Sequence, residues 1–131
     1  MVLIRLWHQK LIPYLPRQQL LGQHRECCAL RGAGWGRNHS VVNYVFTYTP
    51  DLLVAYHFLV MNEMKKRGYK PDETWYNPNY RGKTLGEQPN WTTPLLKQFL
   101  TQDRIFIEHN DEYLQECLDN LKGKGICIDL N

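Results

Sequence analysis

A carboxylate and an arginine stand side by side at Arg25 and Glu26, inside a stretch of helical character. On a helix, a spacing of three and four residues brings an amide and two small residues to their side, namely Gln18, Gly22 and Ala29. A carboxylate can move a proton, an arginine can hold a phosphate, and small residues leave space for a ligand close to the backbone. This pattern indicates acid–base chemistry on an anionic ligand. A close helix crossing at Gly22, with both charges paired to neighbours, is the alternative from residue types alone.

Histidines and cysteines offer further candidate ligands and proton carriers. His24 and Cys28 are four residues apart, so a helix would place both on one face. No C-x-x-C pair completes a zinc set, and we predict no metal and no cofactor. Cys27 lies directly beside Cys28, which suits a disulfide framework poorly. The side-chain pKa of His8, His24 and His39 suits proton transfer, while a purely structural role is the alternative for each.

Length and composition indicate a single globular domain over residues 1–131. Apolar residues make up 43% of the chain and charged residues 22%, which is ordinary for a water-soluble protein. No apolar run approaches the ~20 residues of a membrane span. The first residues lack the pattern of a secretory signal. We therefore expect a cytoplasmic protein with no membrane partner.

Charge is unevenly distributed along a chain whose formal net charge is +3. The first third is basic and contains Lys10, Arg17, Arg25, Arg31 and Arg37. A late segment is acidic and contains Glu108, Asp111, Glu112, Glu116 and Asp119. An anionic partner should therefore approach the first third, unless both clusters are ordinary solvated surface.

The hydrophobic pattern predicts an all-α fold of one compact domain, with about three main helices and long ordered loops. The first helix covers about residues 16–31, between a proline and a glycine-rich turn. The second covers about residues 49–68, with Thr49 as its cap. The third covers about residues 110–123, with Asn110 as its cap.

Other segments have weaker patterns. Residues 93–101 indicate a shorter helix. Residues 40–48 combine β-branched residues, which favour a strand, with a helical spacing of apolar positions. Residues 69–91 have little periodicity and are predicted to form an ordered loop. Residues 125–130 are predicted to lie extended along the body of the protein.

Several short motifs occur in order along the chain. The first part contains Arg5-Leu6-Trp7-His8, Leu15-Pro16-Arg17-Gln18-Gln19-Leu20 and Arg25-Glu26-Cys27-Cys28. Later parts contain Met64-Lys65-Lys66-Arg67-Gly68-Tyr69 and Tyr80-Arg81-Gly82. This ordered set resembles the pyrimidine-dimer DNA glycosylase/AP lyase family, of the phage ultraviolet-repair endonuclease type, and more closely a bacterial branch of that family. The resemblance covers most of the chain, although residues 125–131 differ from the aromatic-rich tail of the phage enzyme.

The resemblance implies a DNA repair enzyme whose partner is damaged double-stranded DNA. Such enzymes flip a nucleotide out of the duplex, attack the sugar C1′ with a protein amine to form an imine, and break the strand by elimination. Glu26 matches the carboxylate that stabilises the developing positive charge and shuttles protons. Arg25 matches a phosphate-binding arginine. The candidate DNA-binding residues of the matching segments are Arg5, Arg17, Gln18, Gln19, His24, Arg25 and Arg31.

One departure from the family concerns phosphate binding. The family has a second phosphate-binding arginine one turn after the carboxylate, and this chain has Ala29 there. Arg31 or Arg17 is the candidate replacement.

A second departure concerns the amine. The family's amine-bearing first residue aligns near Arg5, so about four residues precede that point, or about 13 Å of extended chain. The attacking amine is assigned to Met1 or Val2, provided that these residues fold back toward Glu26. The alternatives are a different start of the chain, a lysine such as Lys10 with a depressed pKa, or loss of the lyase step.

The leading hypothesis from the sequence is a pyrimidine-dimer glycosylase, possessing AP lyase activity where an amine reaches the site. The alternative is a module on the same scaffold that binds distorted nucleic acid without cleaving it. A small-molecule enzyme that uses Glu26 and a histidine as acid and base is a third hypothesis.

Overall fold

The computed structural model describes residues 5–38 and 40–130, and among these it forms helices and irregular segments without a β-strand. The α-helices are α1 (Arg17–Arg31), α2 (Pro50–Lys66), α3 (Gly82–Leu85), α4 (Leu96–Phe99) and α5 (Asp111–Gly123). Short 3-10 helices occupy Gln9–Tyr14, Ser40–Thr47 and Glu73–Tyr76. The predicted all-α fold with three main helices is confirmed, the three being α1, α2 and α5.

Helix α2 is the central element. Every residue from Asp51 to His57 is buried, so the helix is covered on all sides over that stretch. Helix α1 packs directly against it, contributing the buried side chains of Leu20, Cys27 and Leu30 to the core. Each fully buried aliphatic side chain of this kind contributes about 1.5–3 kcal/mol through the removal of apolar surface from water.

The C-terminal end of α1 is fixed by a close approach between two backbone segments. The N–H of Gly32 donates to the carbonyls of Cys28 and Ala29, which ends the helix. A Cβ at position 32 would lie 3.2 Å from the carbonyl oxygen of Arg81. The absence of a side chain at Gly32 therefore lets the loop around residue 81 pack against the end of α1.

The predicted helix starts are correct in position and differ in one detail of capping. Asn110 accepts a hydrogen bond from the N–H of Tyr113 at 2.8 Å, as a capping residue does. The hydroxyl of Thr49 does not cap α2 and instead donates to Asp51 Oδ2 at 3.0 Å. The local residue pattern therefore predicts where α2 begins, whereas the buried carboxylate of Asp51 determines the direction of the Thr49 hydroxyl.

The weaker patterns resolve into short helical turns. In the ambiguous segment 40–48, Ser40–Thr47 form a 3-10 helix and no strand, and the predicted helix over 93–101 is limited to α4. The loop over 69–91 is ordered, as predicted, and contains a 3-10 turn and α3. Asn79 in the middle of the loop is joined to the residue that follows the loop, because Asn79 Oδ1 accepts hydrogen bonds from the N–H and the hydroxyl of Thr92 at 2.9 and 2.8 Å. In the described ranges, no helix has the length and apolar character that crossing a membrane requires.

We predict that Asp51→Ala lowers the free energy of unfolding by about 3 kcal/mol, because it leaves buried donors without an acceptor. The Asp51 carboxylate is buried and accepts hydrogen bonds from the N–H of Thr93 at 2.6 Å and from two threonine hydroxyls. Denaturant unfolding measures the change. Asp111→Ala is the matched control, since Asp111 is an exposed acid in the first turn of α5 and is expected to cost less than about 1 kcal/mol. Equal effects of the two substitutions would contradict the role given to Asp51.

Candidate active site

The outward side of α1 carries the residues that the sequence singled out. Gln18, Arg25 and Ala29 are exposed, and Gly22 and Glu26 are half-buried. A Cβ at Gly22 would lie 3.7 Å from Nη2 of Arg25, so the guanidinium of Arg25 lies back over the glycine. Helix geometry of about 100° per residue places this set within one broad face that borders solvent. Because this face borders solvent, Gly22 does not form the close helix crossing that residue types alone also allowed.

Glu26 is held by one neighbour on its own helix and by one in the N-terminal segment. Gln23 Nε2 donates to Glu26 Oε2 at 3.0 Å, and the backbone N–H of Arg5 also donates to the carboxyl group. Burial raises the pKa of Glu26 from 4.5 to about 7, against the opposing effect of these hydrogen bonds and of the Arg25 charge. A carboxyl group with this pKa exists in both protonation states near neutral pH. It can therefore accept and return a proton during one reaction.

The chain segment around Arg5 lies directly at the Glu26 carboxyl group. Gln23 Nε2 donates to the carbonyl of Arg5 at 2.8 Å, and Gln23 Oε1 accepts from the N–H of Trp7 at 2.6 Å. The described chain therefore reaches the candidate carboxylate at Arg5, the position with which the resemblance aligns the family's amine-bearing residue. Met1 and Val2, the residues assigned to supply that amine, lie outside the described residues, as does His39.

Arg31 is not available to DNA, which corrects its place in the candidate DNA-binding set. Its side chain has no exposed surface. Its guanidinium donates to the carbonyls of Trp75, Asn77 and Tyr80 at 2.8, 2.8 and 2.9 Å. Five residues of helix separate Arg31 from Glu26, which turns it about 140° away, into the interior. Burial lowers the pKa of Arg31 to about 10.

Arg5 and Arg17 point away from the Glu26 face. The guanidinium of Arg5 lies 5.8 Å from the Trp7 ring, and one of its nitrogens is 3.7 Å from a carboxylate oxygen of Glu116 on α5. Arg17 is exposed and lies 5.7 Å from the ring of Tyr69. Nine residues of helix put it about 180° around α1 from Glu26. Gln19, seven residues from Glu26, is half-buried and lies on the same side as the carboxylate.

His24 also lies on the inner side of α1, where it joins a second polar group of residues. His24 Nδ1 lies 2.8 Å from Nε2 of His57 on α2, and Cys28 Sγ lies 3.9 Å from ring nitrogens of both histidines. Their ligand atoms are close enough together to hold a metal ion. The sequence provided the spacing of His24 and Cys28, and the facing residue His57 completes the group.

The hydrogen bonds of His57 favour a shared proton over a metal ion between His57 and His24. Arg31 Nη1 lies 3.0 Å from His57 Nδ1, and because a guanidinium can only donate, His57 Nδ1 must accept. Neutral His57 then carries its proton on Nε2 and donates it to His24. A metal-binding histidine normally directs its other ring nitrogen at an acceptor, whereas this one faces a cation. Burial raises the pKa of the Cys28 thiol to about 12 and lowers the pKa of His57 well below its usual value.

His8 has a structural role in this arrangement. It is buried, and its Nδ1 accepts from the N–H of Lys10 at 3.1 Å, at the start of the Gln9–Tyr14 helix. Its ring stacks on His109 with centroids 5.3 Å apart. Lys10 itself is exposed.

A groove beside Ala29 was not predicted. It has a volume of about 420 Å³ and runs between the end of α1, the glycine turn after it and the loop that carries Trp75, Arg81 and Lys83. The side chain of Arg81 lines the groove and donates hydrogen bonds to the carbonyls of Arg31 and Gly32 at 2.8 and 3.1 Å. Lys83 is exposed. The only sequence signal for this neighbourhood is the Tyr80-Arg81-Gly82 motif, and the loop's position against α1 depends on the buried Arg31.

Comparison with known proteins identifies one family. A sequence model of a protein family, described as pyrimidine dimer DNA glycosylase, matches residues 4–77, which is more than half of the chain. This range includes Arg5, α1 and α2, and therefore every contact described around Glu26. No curated protein and no solved structure matches the chain.

We predict that Glu26→Gln stabilises the fold at high pH more than at low pH. The folded chain holds the Glu26 proton more tightly than the unfolded chain, since the pKa is about 7 in the fold and ordinarily 4.5. The stabilising contribution of that proton is complete below about pH 4.5 and is lost as the pH rises through about 7. Removing the charge should therefore raise Tm relative to the parent at pH 8 and have less effect at pH 4.5. Exposed Glu112→Gln is the control, and an equal Tm difference at both pH values for Glu26→Gln would contradict the raised pKa.

Proposed function

The chain belongs to the pyrimidine dimer DNA glycosylase family, and on this basis we propose that it is a DNA repair glycosylase that acts on damaged double-stranded DNA through an amine–imine mechanism assisted by Glu26. The observation that carries the proposal is the contact between the Glu26 carboxyl group and the backbone N–H of Arg5. By the resemblance, those two groups match the family's carboxylate and the position of its amine.

The proposed chemistry conserves atoms and charge at each step. The lone pair of an amine forms a bond to C1′ of the damaged nucleotide, and the glycosidic bond breaks, with its electron pair and a proton passing to the base. The attached nitrogen then loses a proton and its electron pair forms the C=N bond to C1′ as the C1′–O4′ bond breaks and O4′ takes a proton, which opens the sugar ring and gives an imine. Loss of a proton from C2′ expels the 3′ phosphate, which is the AP lyase step. Each proton transfer occurs beside a carboxyl group whose pKa of about 7 suits both acceptance and donation.

Glu26 has an additional electrostatic role in this proposal. As the glycosidic bond breaks, positive charge develops on the sugar, and an ionised carboxylate next to it lowers the energy of that state. The carboxylate is half-buried, so its charge is screened less than that of a fully exposed group. Arg25 is exposed beside it and is the proposed phosphate contact.

The proposed DNA interface is the outward face of α1 together with its continuation into the groove beside Ala29. It includes Arg25, Gln18 and Gln19, and Lys83 supplies a cation on the far side of the groove. Arg17 remains a candidate for more distant phosphate contact, whereas Arg5 and His24 are occupied by contacts within the protein. Ala29 lines this groove, and its small side chain leaves the groove open where the family has an arginine.

The attacking amine is proposed to come from the N-terminal segment, since that segment meets Glu26 at Arg5. In the chain as given, the nitrogen of Arg5 is an amide and cannot attack. An amine at Met1 or Val2 has to reach back to the carboxylate, whereas a chain that starts at Arg5 carries a primary amine at this place. A terminal amine has a pKa near 8, compared with ~10.4 for a lysine, so more of it is unprotonated at neutral pH.

The alternative function is a module that binds distorted DNA without cleaving it. The observation that favours it is that the Arg5 nitrogen beside Glu26 is a backbone amide, which cannot attack C1′. Binding would still use the outward face of α1.

We predict that the chain starting at Arg5 forms a covalent adduct with duplex DNA that contains an abasic site when borohydride is present. Reduction traps the imine as a stable amine, which gel electrophoresis detects. Glu26→Gln should lower the trapping rate by about a hundredfold or more, because general acid–base assistance is lost. Glu112→Gln should leave the rate unchanged.

Binding measurements separate the two functions in the same experiment. Salt-sensitive duplex binding without any adduct, in both the full chain and the chain starting at Arg5, would support the binding module and contradict the glycosylase. Absence of both binding and adduct would contradict the proposed partner.

A further inference from the structure

Gln23 is a buried side chain whose hydrogen-bonding groups are all engaged around the candidate site. Only 1% of its surface is exposed. Its Nε2 donates to the carbonyl of Arg5 at 2.8 Å and to Glu26 Oε2 at 3.0 Å. Its Oε1 accepts from the N–H of Trp7 at 2.6 Å and from the hydroxyl of Tyr56 at 2.8 Å.

These four contacts allow a single orientation of the Gln23 amide. The nitrogen faces two acceptors and the oxygen faces the N–H of Trp7, so a rotation by 180° would break these three hydrogen bonds. The hydroxyl of Tyr56 also lies 2.6 Å from the carbonyl of Trp7, and its one proton is shared between that carbonyl and the Gln23 oxygen. Tyr56 is fully buried on α2, so the amide is fixed against the most rigid element of the fold.

The direction of the Gln23 amide has a chemical consequence for Glu26. An N–H that donates to a carboxylate stabilises the ionised form. The other N–H of Gln23 Nε2 donates to the carbonyl of Arg5, and the backbone N–H of Arg5 donates to the Glu26 carboxyl group. One side chain therefore sets the separation between the carboxyl group and the backbone position where the proposed amine approaches.

We propose that Gln23 is a positioning residue for the glycosylase reaction: it orients the Glu26 carboxylate and holds the N-terminal segment against it through its bonds to Arg5 and Trp7. The inference rests on the proposed function for its effect on rate. Its effect on the Glu26 carboxyl group is independent of any activity. Gln23 is buried and cannot contact DNA directly, so it acts through Glu26 and the backbone.

Gln23→Glu in the full chain tests this role with almost no change in shape. One carboxylate oxygen can still accept from Trp7 and Tyr56, while the other replaces the donor that faces Glu26. Two carboxyl groups about 3 Å apart resist simultaneous ionisation and share a proton. The carbon-13 signal of the Glu26 carboxyl carbon, followed by NMR across pH, should show its apparent midpoint raised by at least one pH unit. The acidic limb of the trapping rate should move in the same direction, with duplex affinity unchanged.

Gln98→Glu is the matched control, since it adds the same charge at an exposed position on α4 and should leave the Glu26 midpoint unchanged. Tyr56→Phe is the second variant, in case Gln23→Glu fails to fold. It removes one donor to the Gln23 oxygen and should raise the Glu26 midpoint by a smaller amount, because a looser amide donates less well.

A Glu26 midpoint that does not move in the folded variants would overturn the positioning role, even if the parent chain traps DNA. Conversely, a parent chain that traps no DNA in any form contradicts the proposed function, while the NMR titration still decides whether Gln23 controls the Glu26 carboxyl group.

Discussion

The fully buried guanidinium of Arg31 imposes the strongest single constraint on this structure. A buried cation is stable only when hydrogen-bond acceptors surround it, because the cost of removing it from water is several kcal/mol. Three backbone carbonyls from residues 75–80 and one ring nitrogen of His57 provide these acceptors. The loop after α2 therefore has to fold over the end of α1. Within this loop, the centre of the Trp75 ring lies 5.0 Å from the guanidinium carbon of Arg31.

This constraint divides α1 into two polar sides with different roles. The inner side, with Arg31 and His24, faces α2 and the covering loop, and its histidines lie in a hydrogen-bonded pair. The outer side carries Arg25 and the half-buried carboxyl group of Glu26. Gln23 lies between them and joins the N-terminal segment to the helix. The polar groups that fix the fold and those proposed for chemistry thus share one helix without sharing partners, except at Gln23.

Local pattern predicts much of the fold and only part of the site. Helix positions follow from prolines, glycines and caps that act within a few residues, and Glu26 with Arg25 is visible as an unusual pair. The position of Glu26 depends on Gln23, whose own partners Trp7 and Tyr56 are 16 and 33 residues away in the chain, so a local sequence pattern does not reveal these contacts. Arg31 was misplaced because its positive charge suggested a phosphate, although its angle around the helix relative to Glu26 already indicated an inward direction. His57 lies in a stretch that is buried all round, where no pattern distinguishes a polar partner from core.

The central claim is that the Glu26 carboxyl group and the N-terminal segment form one reacting site. Peptide mapping by mass spectrometry of a borohydride-trapped adduct tests it most directly, because the mapping identifies the nitrogen that bears the sugar. With the chain starting at Arg5, the account predicts the modification on the terminal nitrogen of Arg5, which is the nitrogen that hydrogen-bonds to the Glu26 carboxyl group. Modification of Lys10 or of any other lysine side chain would contradict it.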